Sequence, residues 1–297
     1  MRVGIPRGLF YYYYGELWCS FFDRLGISYV VSPETNRMIK DLGSKYSSDE
    51  MCLSLKNYIG HVAYLVDKCD VILVPRIDNY GINEQTCTNF LSCVDIVSNL
   101  FDCKVLDYNV CLDSGFSDYK GFFKIGKFFS KSSKDIKRAY DYCFIMYRKR
   151  FKTRVINNLN NLNNLNREGK KILLVSHPYN TYDKTIGKVI VDYLSKLGCI
   201  VIYSDLFDKE LCRSNSSFFS PNLYWKFSKE IVGSIGLCKD KIDGVLFLST
   251  FPCGLDSLVN EIVIKNLELK CLNIVIDDMD AYAGIETRLE SFVDILV

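Results

Sequence analysis

Only two histidines, six prolines and two tryptophans occur among 297 residues, and no two of the thirteen cysteines stand in CxxC spacing. A structural zinc site wants four ligands, usually with a close pair among them, so zinc is the weaker metal for this chain. Excess charge is missing too. The 37 basic and 35 acidic side chains are interspersed and leave a formal net charge of +2, which gives no field to steer nucleic acid. No apolar run is long enough to span a bilayer. Met1-Arg2-Val3-Gly4-Ile5-Pro6 enters a strand without the apolar stretch and cleavage site of a secretory leader. A cytoplasmic protein is expected, with neither nucleic acid nor membrane as partner. No GxxxxGK[ST] loop is present, so no ATP hydrolysis is expected of the chain by itself.

Hydrophobic residues make up 48% of the chain, enough for a large core, and the length suits two compact α/β domains better than one. Thirteen cysteines without an export signal point to a reducing compartment, where thiols stay reduced or bind metal. The first part alternates strand and helix: Arg2 to Pro6, Leu9 to Leu25, Ser28 to Ser32, a helix from Thr35 to Lys45, then strands at Val71 to Pro75 and Lys104 to Tyr108 flanking a helix from about Cys87. Ser47-Ser48-Asp49-Glu50 reads as a capping box opening a helix that includes Met51, Leu55, Tyr58 and Ile59. From Ser114 to Lys131 there is no clean period. Ser133 to Asn166 reads as one long helix, whose Asn- and Leu-rich tail from Asn157 is expected to be an exposed end or frayed spacer. Strands are expected again at Lys171 to Ser176, Cys199 to Ser204, Gly244 to Ser249 and Cys271 to Asp277. The fold class is α/β: two Rossmann-like domains with mainly parallel four-stranded sheets over 1–131 and 169–297, joined by a helix over 132–168.

Three cysteines follow expected strands or open helices, where such folds place their chemistry: Cys52, Cys87 and Cys253. Helix amino termini favour thiolates through open N–H groups and the helix dipole, and thiolates are the ligands of iron-sulfur clusters. At Cys253, Gly254 lets the backbone turn closely around a bulky ligand and Asp256-Ser257 opens the following helix, which makes Gly254, Asp256 and Ser257 cofactor-binding candidates. On spacing alone, packing is the commoner role for any one cysteine, and it is assigned to the other ten. Of these, Cys111 closes a strand on the same side as the candidates and is the reserve fourth ligand. His61 reads as a solvated or hydrogen-bonded helix residue, and His177, just past a strand, as a candidate for hydrogen bonding or proton transfer. Tyr11 to Tyr14 read mainly as packing, and Arg7, Arg76 and Arg288 as salt-bridge partners or anion ligands.

Taken together, Gly4-Ile5-Pro6-Arg7-Gly8-Leu9, Ser32-Pro33-Glu34-Thr35-Asn36, Asp49-Glu50-Met51-Cys52-Leu53, Gly60-His61, Val74-Pro75-Arg76, His177-Pro178-Tyr179-Asn180, Cys253-Gly254-Leu255-Asp256-Ser257 and Thr287-Arg288-Leu289-Glu290-Ser291-Phe292 resemble the 2-hydroxyglutaryl-CoA dehydratase component family, in its acyl-CoA dehydratase activase-related (CoA protein activase) branch. The resemblance covers nearly the whole chain. It implies two flavodoxin-like domains with a 4Fe-4S cluster, single or double cubane, held between them by Cys52, Cys87 and Cys253. It further implies an ATP-dependent activator protein as the electron donor, and pairing as a homodimer or with a related dehydratase subunit. The chain departs from the family pattern at Ser54, where proline is common, and at Met279 and Tyr282, where His and Glu are common. The expected function is an iron-sulfur redox protein passing low-potential electrons to a substrate or partner. The alternatives are an acyl-CoA dehydratase subunit binding substrate at an open cluster iron, and a metal-free flavodoxin-like ligand-binding module.

Overall fold

The structure, a computed structural model, describes residues 1–164, 168–278 and 282–296. The chain divides into two compact units, Met1–Arg150 and Phe151–Val297.

The first unit contains β1 (Val3–Ile5), α1 (Tyr11–Leu25), β2 (Tyr29–Val31), α2 (Arg37–Tyr46), α3 (Leu53–Leu65), β3 (Val71–Asn79), α4 (Thr88–Leu100), β4 (Val105–Cys111), α5 (Asp118–Phe128) and the first part of α6 (Ser133–Asn163). Its strands pair in the order β2-β1-β3-β4, all parallel, with Val3 opposite both Tyr29 and Val71 and Ile72 opposite Val105. Short apolar strands fit this position because helices cover both faces of a parallel sheet. β1 is buried throughout, whereas β4 at the edge alternates buried with half-buried residues. α1 buries Leu17, Trp18, Phe21, Phe22 and Leu25 and stops at Gly26, whose φ of 62° lets the chain close the helix with bonds back to Asp23 and Phe22.

The second unit contains the rest of α6, then β5 (Lys171–Val175), α7 (Pro178–Thr181), α8 (Gly187–Lys196), β6 (Ile200–Tyr203), α9 (Lys209–Ser216), α10 (Lys226–Cys238), β7 (Gly244–Thr250), α11 (Gly254–Lys265), β8 (Lys270–Ile276) and α12 (Tyr282–Asp294). Its order is β6-β5-β7-β8, again all parallel, with Ile172 opposite both Val201 and Gly244. β7 is buried at all seven positions, as a central strand covered on both faces must be. Each unit is therefore a flavodoxin-like layer with the same strand order.

Three readings of the sequence change. The Ser47-Ser48-Asp49-Glu50 stretch does not open a helix: Ser47 closes α2 with its N–H on Gly43 O, and α3 begins only at Leu53. The aperiodic stretch from Ser114 to Lys131 folds as α5, because Gly121 lies where a Cβ would meet the Tyr108 ring at 2.7 Å and Phe122 and Ile125 fill the core. The Asn- and Leu-rich tail of α6 is not a frayed end over its described part. Leu162 is buried in the second unit's core with Leu159 packed against it, and Asn158 is buried with its amide bridging Tyr203 N, Tyr203 O and Leu206 O at 3.0–3.1 Å. β6 is an edge strand with unpaired backbone groups, and the Asn158 amide supplies the missing donor and acceptor. Leu165 and Asn166 lie outside the described residues.

Candidate functional site

All three cysteines singled out from the sequence occupy the same local position, the N-cap of an α-helix. Cys52 caps α3 (φ −63°, ψ 149°), Cys87 caps α4 (φ −63°, ψ 141°) and Cys253 caps α11 (φ −100°, ψ 95°). No other α-helix with a described cap has cysteine there. An extended N-cap residue places its side chain over the first turn, where open N–H groups and the positive end of the dipole favour an anion. At Cys253 this is a hydrogen bond from Asp256 N to Sγ at 3.4 Å. All three are partly exposed, whereas Cys93, Cys143, Cys199, Cys212 and Cys238 are buried.

Cys52 and Cys87 both belong to the first unit. Both lie within electrostatic reach of the Cys93 thiol, which burial foremost, and then these two neighbours, push well above the ordinary thiol range. Cys93 keeps its packing role, 1% exposed on α4. Cys111 has hydrogen-bond partners of its own at the end of its strand: its Sγ donates to Asp78 Oδ2 and accepts from Asn79 Nδ2, each at 3.3 Å. His61 is a hydrogen-bonded core residue, between Ser32 Oγ (2.9 Å) and Thr35 Oγ1 (3.1 Å). Burial, helped by the Arg7 guanidinium, lowers its pKa to about 3. Arg76 makes a two-pronged salt bridge to Asp95 at 2.7 and 2.8 Å. Arg7 Nε is buried without a hydrogen-bond partner, and its guanidinium carbon lies 5.4 Å from the Tyr11 ring.

In the second unit, β5 and β7 are neighbours from which the chain crosses to opposite sides of the sheet, the point where such folds open a crevice beyond their strand ends. His177 follows β5 and Cys253 follows β7. The structure joins them through Asp256, whose Oδ1 lies 3.0 Å from His177 Nε2 while its backbone N–H reaches Cys253 Sγ. The His177 and Asp256 side chains are 6% and 8% exposed, and the His177 ring stacks on Tyr179 with centroids 5.0 Å apart. A carboxylate accepting at Nε2 assigns the proton to that nitrogen. Ser249 Oγ, on β7 and 1% exposed, is buried without a hydrogen-bond partner. Gly254 has open space where a Cβ would stand. Ser257 turns its hydroxyl back onto Cys253 O at 2.8 Å, and Arg288 Nη2 donates to Asn273 O. The Asp256 bridge and the Ser249 hydroxyl were not legible in the sequence, since only the folded sheet brings residues 177, 249 and 256 to one end. Met279 lies outside the described residues, and Tyr282 is known only as the first residue of α12.

Among the described residues no group of three or more His, Cys, Asp or Glu side chains is assembled around a point that would hold a metal ion. The donor type fits an iron-sulfur group, partly exposed cysteines at helix N-termini, two in the first unit and one in the second. No helix is long and apolar enough to cross a membrane among the described residues.

No curated protein matches the chain. Two solved structures of the SBP FpvC from Pseudomonas aeruginosa are similar over its full length. The Mn2+ complex has 11% identity, 97% of that chain covered and a TM-score of 0.33; the Ni2+ complex has 10%, 96% and 0.30. A likeness at that level carries no argument about this chain. The family described as the CoA enzyme activase uncharacterised domain (DUF2229) matches residues 2–207, which takes in Cys52, Cys87 and His177 but not Cys253. With well over half of its length matched, this chain belongs to that family.

Proposed function

We propose that the protein is an iron-sulfur redox protein of the CoA-activase kind, related to 2-hydroxyacyl-CoA dehydratase components. In this reading it accepts low-potential electrons from an ATP-dependent activator protein and passes them to a substrate or partner. The observation that carries this reading is the shared N-cap position of Cys52, Cys87 and Cys253. These three would hold a 4Fe-4S cluster, which supplies one-electron transfer when bound. The chain's own contribution is electrostatic: each helix N-terminus offsets the cost of keeping a sulfur as thiolate. Gly254 leaves room beside one of them. His177, fixed in orientation by Asp256, holds a proton at Nε2 toward that carboxylate, and the backbone N–H of Asp256 meets Cys253 Sγ.

Anaerobic purification should yield a brown protein containing iron and acid-labile sulfide. Cys52→Ser, Cys87→Ser and Cys253→Ser should each lose the cluster, and Cys199→Ser, at a buried packing position, should keep it. A colourless product without iron would overturn the reading. The buried His177 and Asp256 pair also favours a second reading, a dehydratase subunit in which His177 serves proton transfer to a bound 2-hydroxyacyl-CoA. Saturable binding of such a thioester that weakens in His177→Gln would support it.

A further inference from the structure

We propose that the first unit contains a buried one-electron relay in which Tyr108 is the oxidisable centre and Asp118 receives its proton. Spacing is the first ground. Phe10 lies 4.5 Å from Phe90 and 6.2 Å from Tyr14, between ring centroids, and Tyr14 stacks on Trp18 at 5.6 Å. Tyr14 and Trp18 approach Tyr108 at 5.7 and 5.5 Å, and a single phenylalanine, Phe122, links Tyr108 to Tyr140 in two steps of 5.3 Å. Tyr14, Trp18, Tyr108 and Tyr140 are the oxidisable rings; Phe10, Phe90 and Phe122, too hard to oxidise to hold the charge, are the packed medium through which an electron tunnels to or from them.

Proton management is the second ground. An oxidised phenol is a strong acid, so oxidation is far easier where a base takes the proton in the same event. Tyr108 donates its hydroxyl to Asp118 Oδ1 at 2.8 Å. Burial, foremost, holds the phenol well above its usual ionisation range, so it keeps its proton until the ring is oxidised. Trp18 differs: its Nε1 is buried with no hydrogen-bond partner. With no base beside it, oxidised Trp18 passes the charge onward, and Tyr108 retains it. A phenylalanine at position 108 would pack equally well in this core, so packing alone does not account for a phenol aimed at a carboxylate.

Placement is the third ground. Phe90 stands in the first turn of the helix that Cys87 caps, and Tyr80, hydrogen-bonded to Tyr14, opens the loop that leads to Cys87. At the far end Tyr140 is half-exposed. An oxygen-derived one-electron oxidant formed at the Cys87 end would take one electron from Tyr108. The O–H bond then breaks, the proton passes to Asp118, and a neutral phenoxyl radical remains beside a carboxylic acid. A one-electron reductant of the thiol class, acting at Tyr140, returns the electron and Asp118 returns the proton. That such an oxidant forms at the Cys87 end, and that the relay shields a cluster there from it, rests on the iron-sulfur reading, whereas the relay itself does not.

The test is flash photo-oxidation of the anaerobically isolated full chain by a ruthenium tris-bipyridine sensitiser with persulfate as electron acceptor, followed by freezing and electron paramagnetic resonance. The expected result is a neutral tyrosyl radical that is lost in Tyr108→Phe and in Asp118→Asn, the latter keeping the phenol. It should persist in Tyr46→Phe, a ring outside the chain of contacts. Circular dichroism checks that the variants fold, and if Tyr108→Phe does not, Asp118→Asn decides. An undiminished signal in both would place the radical on surface tyrosines and overturn the relay. An iron-free preparation that still gives the Tyr108-dependent radical would sink the proposed function and leave the relay standing.

Discussion

Gly60→Ala should destabilise the first unit and disturb Cys52. A Cβ at position 60 would stand 2.1 Å from Ile39 O and 2.9 Å from Gly43 N, and one at Gly43 would meet Lys56 O at 2.3 Å. The α2 and α3 backbones thus touch through glycine on both sides. A carbon needs about 3.3 Å from a carbonyl oxygen, so α3 must retreat by about 1 Å. The obstructing atoms are backbone and have no rotamer to escape into, which places the cost near the upper end of overpacking, about 3 kcal/mol. Alanine returns about 1 kcal/mol of helix propensity, leaving a net loss of about 2 kcal/mol. For a unit of this size that lowers the melting temperature by about 4–8 °C. Thermal unfolding followed by circular dichroism measures it, with Gly254→Ala as the control because nothing lies within 4 Å of that site. Because Cys52 caps α3, the rate at which iodoacetamide alkylates that thiol should change as well. A melting temperature equal to or above that of the unsubstituted protein would refute the argument from close helix approach.

Acid should weaken the first unit through His61. Its pKa is lowered to about 3 in the fold against about 6.5 in the unfolded chain, so protons bind the unfolded state first as pH falls. Stability is then lost at up to about 1.4 kcal/mol per pH unit below 6.5. The difference in urea midpoint between the native chain and His61→Gln, measured from pH 7 to 4, isolates this contribution; parallel curves would contradict it. Glu230 is buried among Lys209 (3.5 Å), Arg213 (2.9 Å) and Lys226. Burial pulls its pKa up, but the three cations outweigh it and hold the carboxyl below the usual range. Glu230→Gln should cost about 3 kcal/mol at neutral pH, shrinking as pH falls below the unfolded carboxylate's range; a penalty independent of pH would point to packing instead. Asn158→Ala, which orphans buried groups of the β6 edge, should cost about 3 kcal/mol in a urea melt, and a loss below half of that would mean that water takes over the bonds.

The strands were legible because each parallel strand is a short apolar run bounded by turn residues, as in Val71 to Pro75 and Gly244 to Ser249. The helix-start placement of the three cysteines was legible for a related reason, since each stands where a strand or turn gives way to a helix. Other features needed the fold. The Ser47-Ser48-Asp49-Glu50 stretch carries a helix-start pattern, but α2 extends to Tyr46 and leaves Ser47 as its closing residue. α5 hid its period because Gly121 and Gly126 replace apolar residues where the Tyr108 and Ile136 side chains press closest. The pairing of His177 with Asp256 spans 79 positions along the chain, and no local pattern reports a contact at that range.

One consequence of the Asn158 bridge concerns how this protein can be dissected. A C-terminal fragment begun at Lys170 would contain every strand of the second sheet, yet would lack the side chain that occupies the outer rim of β6. That rim would then be an unguarded template for strand addition from another molecule. Excision upstream, at Phe151 where the second unit starts, keeps the guard in place and is the cut expected to give a monodisperse fragment.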